Sequence, residues 1–343
     1  MGRGARLRKV RALVLFCFAA PGLLSAQAPR IGVIDFYGLR HVSEKRLREA
    51  LAVREGDPLP ASKGDVEERL GRVAGVVRAR LEAVCCEGDR AILYVGIQER
   101  EAPHFEFRPE PSGEATLPEA VTDSYRFLLA ALLRAARAGP VSENLVQGHA
   151  LSSDPAVRAI QERLQYLAAD HLDRIRRVLR ESGDAAQRAA AAYVIGYAPS
   201  KRLVVDDLQY AMQDPDESVR AHAIRSLAAI AALGARDKDL GIRVEPTWFI
   251  QMLNSLAWSD RTRAAAALVA LTEERRPYVL DQIRETALHS LAEMARWKTL
   301  DHALPAFLVL GRVAGVPEVA IQTEWTRGDR QAFIEGALKS EPK

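Results

Sequence analysis

Aromatic residues make up only 6% of the 343-residue chain. So few rings leave no platform on which successive bases of a nucleic acid could stack. A basic stripe that would offset phosphates is missing too. The formal charge of +3 becomes −2 once Arg3, Arg6, Arg8, Lys9 and Arg11 are set aside, and these five lie in the first 28 residues, which hold no acid. Nucleic acid is therefore not expected as a partner. After the N-terminus no apolar run approaches the roughly 20 residues that cross a bilayer; Phe127 to Leu133 runs straight into Arg134. Phosphate-cradling glycine loops, G-x-S-x-G elbows and H-E-x-x-H pairs are all absent. The histidines (His41, His104, His149, His171, His222, His289 and His302) are scattered singly. Asp170-His171-x-Asp173 could hold a metal in principle, but it falls on a polar helix face and reads as surface. No catalytic residue, metal or cofactor is expected.

Cysteine is equally scarce: Cys17, Cys85 and Cys86. Two adjacent thiols without nearby histidine do not make a zinc site, which needs four ligands. Cys85 and Cys86 fall in a predicted strand, where neighbours point to opposite faces and a bond between them is strained. An oxidising compartment leaves open a vicinal disulfide or a link to another chain. One buried and one half-exposed thiol is the alternative.

What is present begins at the N-terminus. Met1 to Arg11 is basic, Ala12 to Leu24 is apolar, and Ala26-Gln27-Ala28 has small residues where a signal peptidase reads. These parts predict a secretory signal peptide cleaved after Ala28, hence a periplasmic or secreted protein; an uncleaved anchor is the alternative. Lipidation at Cys17 is not expected, because the bulk of Phe16 spoils the processing site.

The strongest signal is internal repetition. Asp184-Ala-Ala-Gln-Arg188-Ala-Ala-Ala-Ala-Tyr-Val-Ile195 is answered 32 residues later by Asp216-Glu-Ser-Val-Arg220-Ala-His-Ala-Ile-Arg-Ser-Leu227. A period of this size marks stacked helix pairs. Asp184 and Asp216 suit helix N-caps. Arg188 and Arg220, one turn on, lie within reach of those aspartates, and Asp214-Pro215-Asp216 makes the turn between helices. Asp154-Pro155-Ala156-Val157-Arg158 repeats the phrase and opens a helix predicted to run to Arg180. Arg263 before its Ala-rich run is matched to Arg220, with an insertion of about ten residues at Gly234 to Val244. Further helices are expected over Pro246–Ala257, Pro277–Trp297, Thr299–Gly315 and Gly328–Leu338, giving four pairs in all. The D-x-x-V-R-x-x-A phrase resembles HEAT repeats, and the resemblance implies an α-solenoid that binds protein partners.

Residues 30–100 differ in character. Ile31–Tyr37, two short helices after Ser43 and Ser62, and strands at Val76–Cys86 and Arg90–Gln98 give the order β-α-α-β-β. Ile31, Ile34, Gly38, Val42 and Ser43, then Glu55 to Leu59, then Ile92 to Glu99 resemble a polypeptide-transport-associated (POTRA) domain. That resemblance implies binding by strand addition and a role in envelope assembly. No run of strands that could form a barrel follows, so insertase function is not implied.

Prolines 103, 109, 111 and 118 mark 101–118 as a linker, Glu119–Ala138 as a helix, and Ser142–Ser153 as a polar surface loop. The expected architecture is a signal peptide (1–28), a small α+β domain (29–100), a Pro-rich linker (101–118) and a helical solenoid (119–343). The expected function is an exported, non-enzymatic scaffold for protein partners. Envelope assembly by strand addition, at the Ile31 or Cys85 strand edge, is the alternative. An enzyme with a site where Leu145–Ser153 meets the first repeats is the remaining one.

Overall fold

The computed structural model describes residues 29–339 except 88 and 89; the expected signal peptide lies outside the described residues. β1 (Ile31–Tyr37), α1 (Glu44–Leu51), α2 (Lys63–Gly71), β2 (Val76–Glu87) and β3 (Arg90–Glu99) follow in the expected order. β3 is central, parallel to β1 and antiparallel to β2. Its alternation serves two cores at once. Leu93, Val95 and Ile97 pack with Leu47, Leu51, Val66 and Leu70 of the two helices. Ile92 and Tyr94 point the other way and join Tyr37 in the core of the helical part. Gly96 permits this second contact, since a Cβ there would meet the Tyr37 hydroxyl at 2.6 Å and the Leu256 carbonyl at 2.8 Å.

The helical part starts with α3 (Glu119–Ala138). Four pairs then stack: α5 (Leu172–Glu181) with α6 (Ala185–Ile195), and α7 (Lys201–Ala211) with α8 (Glu217–Arg236), come first. After them α9 (Thr247–Met252) pairs with α10 (Trp258–Leu271), and α11 (Pro277–Thr286) with α12 (Leu288–Ala295) pairs with α13 (Leu300–Val313). The first helices of the pairs form one row and α6, α8, α10 and α13 a second, inner row. α3 and α4 (Pro155–Asp170) cover α6, and α14 (Glu318–Arg327) and α15 (Arg330–Lys339) close the other end.

Several elements differ from expectation. The single helix expected over 154–180 bends at His171 (φ −119°, ψ 19°), and Pro277–Trp297 bends at Ala287 (φ −138°, ψ 6°). Neither bend needs Pro or Gly; each lets two halves follow different neighbours. α4 packs on α3 and α5 on α7, while α11 packs on α9 and α12 on β1 and α15. α14 is an additional helix, opened by Pro317. The expected loop at 142–153 is a hairpin of β4 (Glu143–Asn144) and β5 (Leu151–Ser152), with Gly148 to Ser152 buried.

The stretch 101–118, expected as a linker, is a strap bound along the array. Phe105 and Leu117 are buried. The Arg108 amide donates to the Gln213 carbonyl (2.8 Å), and Gly113 pairs with Ser182 in a parallel bridge. Its prolines suit this path: they favour extended backbone and have no N–H to satisfy.

Candidate interaction surface

Three of the four repeat turns are built around an arginine. Asp184 and Asp216 do cap their helices, accepting from Ala186 and Gln187 and from Ser218 and Val219. Arg188 and Arg220, however, do not pair with these aspartates four residues back. Each reaches into the following repeat. Arg188 binds Asp214 through two bonds (Nε–Oδ2 2.9 Å, Nη2–Oδ1 3.0 Å), and Arg220 binds Asp260 at 2.9 Å. All four side chains are buried. Each arginine also donates to the carbonyl six residues before it, Arg188 to Ser182 and Arg220 to Asp214.

That second bond identifies the third copy as Arg261, which donates to Ser255. The expected match, Arg263, is exposed; its Nη1 donates to the Ser259 carbonyl. Alignment on the Ala-rich run slips by two residues, whereas the turn six residues upstream keeps register. Arg261 lies 3.6 Å from Glu293, which accepts from the Gly38 and Leu39 amides and from Arg40. The fourth pair has Ala303 at the arginine position, and Arg330 of α15 bonds Ala295 and Trp297 carbonyls there instead.

The seam is covered along its length. Going from the last turn to the first, Asp35 accepts from the Lys298 amide (2.9 Å) and the Tyr37 hydroxyl donates to Leu256 (2.7 Å). Arg108 then meets the 213–214 turn, and Gly113 the 181–183 turn. Tyr37 lies 4.6 Å from the Arg261 guanidinium, Phe107 lies 4.2 Å from that of Arg220, and Glu110 binds Arg188 at 3.2 Å. Arg108 stacks on Tyr210. Burial, with Arg180 and Arg188 nearby, lowers the Arg108 pKa to about 10 despite Asp214. Arg188 with Asp214 and Arg220 with Asp260 therefore join successive repeats beneath strap and sheet, while Asp184 and Asp216 only cap their own helices.

The open part of the inner row lies between the hairpin and the sheet. His222 and Arg225 of α8, Arg263, Ala266 and Ala270 of α10, and Leu304, Pro305 and Leu308 of α13 are its partly or fully exposed residues. On one side Glu143 of the hairpin pairs with Arg225. On the other, Glu82 of β2 accepts from the Trp258 amide, and the Tyr94 hydroxyl meets His302 Nδ1 at 2.7 Å. Burial first, then Arg225 and Arg263, lower the His222 pKa to about 4. Its ring is neutral at pH 7 and bonds the Tyr125 hydroxyl (2.7 Å). Arg263 has no carboxylate partner among the described residues. The stretch thus carries one cation without a carboxylate partner among the described residues, Arg263, with small residues around it on α10 and apolar ones on α13.

The Leu145–Ser153 junction, considered as an enzyme site, is a packed plug. His149 is 6% exposed, lies 5.1 Å from the Tyr197 ring, and neither ring nitrogen makes a well-aligned hydrogen bond. Burial, then Lys201, lower its pKa to about 4. Lys201 Nζ donates to Gly196 (2.7 Å), and burial lowers its pKa to about 8. His171 sits apart, at the α4–α5 bend. Among the described residues no three His, Cys, Asp or Glu side chains could share a metal ion. No described helix is long and apolar enough to cross a membrane. Cys85 is exposed near the end of β2 and disulfide-bonded; the Cys86 side chain lies outside those described.

Residues 172–240, from α5 through the end of α8, match the family model for HEAT repeats. That match covers two of the stacked helix pairs. A designed armadillo repeat protein is similar to 57% of this chain over 98% of its own length, at 14% identity and a TM-score of 0.34. Comparison with curated proteins finds no match. The whole is a small α+β unit followed by a helical-repeat array.

Proposed function

We propose that the protein is an exported, non-enzymatic scaffold that holds an acidic segment of a protein partner against α8, α10 and α13. The observation that carries this reading is the division of the solenoid surface. The turn edge is filled by the protein's own strap and sheet, while the inner stripe around Arg263 stays open and lacks a neutralising carboxylate. Export rests on the basic–apolar–small-residue pattern of the first 28 residues, and the disulfide at Cys85 fits an oxidising compartment. A photo-crosslinking residue placed at Ala266 in cells should capture a protein partner, and Arg263→Glu should abolish capture without changing Tm. Equal capture from Val319, exposed on the distant α14, would sink the idea, as would none from Ala266. A mature mass beginning at Pro29 tests export.

Envelope assembly by strand addition is a second reading, favoured by one edge of the sheet. The β1 edge at Ile31 is occupied, with Asp57 accepting from Ile31, Gly56 donating to it, and Lys298 bonding Ile34. On β2, Glu67 takes the Leu81 amide, but Ala83 and Cys85 beyond it are partly or fully exposed. Strand addition, as the POTRA-like resemblance implies it, would use this second edge.

A further inference from the structure

Repeat arrays end in polar surface, because an unstacked terminal pair otherwise exposes the face meant for a neighbour. The C-terminal end obeys this. The outward face of α14 carries Gln322, Thr323, Thr326 and Arg327, with Val319 its only large exposed apolar residue among those described. The opposite end does not. Val121, Leu128, Ala131 and Ala135 of α3 are buried toward the array, yet Phe127, Leu129 and Leu133 on its outward side are 57, 45 and 54% exposed.

Charge on the outward side of α3 is segregated. Glu119 and Asp123 occupy its first half, and Arg134 and Arg137 its second. Arg126 between them pairs with Asp123 at 3.0 Å, whereas Glu119, Arg134 and Arg137 form no ion pair with a described residue. Positions 119, 123, 126, 127, 130, 133, 134 and 137 fall on one broad stripe at spacings of three and four, the kind of face along which two helices pack, with Leu129 at its margin.

We propose that this face is covered by the α3 of a second copy of the chain, packed antiparallel across a two-fold axis. An axis between Leu128 and Leu129 sets Asp123 opposite Arg134, Glu119 beside Arg137, and Phe127 opposite the small Ala130. Acid meets base and large meets small at once, as a self-complementary interface requires. A parallel pair would put like charges together. An anionic membrane would repel the acidic half, and an acidic protein segment would do so too. A helix of this length spans about 30 Å, so the contact lies at the small end of specific interfaces and the dimer is reversible.

Sedimentation velocity of the purified protein over a concentration series tests this. The wild type should pass from monomer to dimer. Glu119→Lys with Asp123→Lys makes α3 all basic, and Arg134→Glu with Arg137→Glu makes it acidic. Each variant should self-associate at least about tenfold more weakly, with Tm lower by only about 2–4 °C because the reversed end charges oppose the helix dipole. Mixed in equal amounts, the two should form heterodimers, and the fourfold swap should restore the homodimer. A wild type that stays monomeric overturns the proposal. So does self-association indifferent to both reversals, a mixture without heterodimers, or co-sedimentation with anionic vesicles in place of self-association.

Discussion

Asp214→Ala tests whether the array is held by rungs between repeats. Asp214 and Arg188 are both fully buried, and the pair is bidentate. Removing the carboxylate leaves the guanidinium in the interior with only the Ser182 carbonyl and the exposed Glu110 to answer it. Breaking one side of such a buried pair costs about 3–5 kcal/mol. At roughly 2 °C per kcal/mol for a chain of this size, Tm should fall by about 6–10 °C. Asp216→Ala is the control: it removes a cap with bonds to Ser218 and Val219, worth about 1 kcal/mol. Replacing both partners, as Arg188→Met with Asp214→Leu, should recover part of the loss, because the Arg188 charge is no longer stranded; Arg108, 3.9 Å from Asp214, still loses its carboxylate. Circular dichroism melts with parallel tryptophan fluorescence would report all three. If Asp216→Ala cost as much as Asp214→Ala, the pairing within each helix would be the real unit and the reasoning above would fail.

Tyr94→Ala should cost about 3–5 kcal/mol, because the ring is fully buried, stacks on Trp258 at 5.0 Å and meets Trp297 at 4.9 Å. For the same reason, deleting 30–118 should leave the helices unable to fold cooperatively; a sharp native-like melt of the truncated chain would show two independent modules instead. Acid sensitivity should trace to His149 and His222 alike, each with a folded-state pKa of about 4, below the ordinary 6.5; His149 is the one to test. The unfolded chain then binds a proton first, so stability is complete above pH 6.5 and falls by roughly 3 kcal/mol for each of them on the way to pH 4. His149→Phe should remove its share of that slope in urea titrations at several pH values, leaving the share of His222, and an unaltered slope would refute the assignment. Burial opposes ionisation of Glu99, but the amides of Arg40, His41 and Val42 outweigh it and hold its pKa below the ordinary 4.5. Its contribution is present above pH 4.5 and lost below, so Glu99→Gln should lower stability at pH 7 and flatten the loss on further acidification; equal midpoints for both proteins at pH 7 would contradict this.

Local signals carried much of the fold. The 32-residue register announced the stack, and Asp184 and Asp216 announced their helix starts, because a cap depends on the two or three residues beside it. β-α-α-β-β order followed from short apolar runs bounded by Ser43, Gly56 and Gly88. The bends at His171 and Ala287 were not legible. Their apolar stripes stay in register through the break, so periodicity registers one helix where packing against two neighbours makes two. The hairpin at 142–153 was hidden in the same way: its polar composition reads as solvated, and His149 and Ala150 are packed against Tyr197, distant in sequence.

What the sequence determined on its own was the type of building block: amphipathic helices in pairs, with an Asp at the helix start and an Arg one turn on in the clearest copies. Only the tertiary structure decided the partners of those charges. Arg188 finds Asp214 and Arg220 finds Asp260 because stacking brings one repeat's guanidinium to the next repeat's turn, a distance no local spacing encodes. Stacking also turned a Pro-rich tether into a bound strap. Extended backbone must satisfy its remaining N–H and C=O groups somewhere, and the row of helix turns supplies matching groups only once the repeats have assembled.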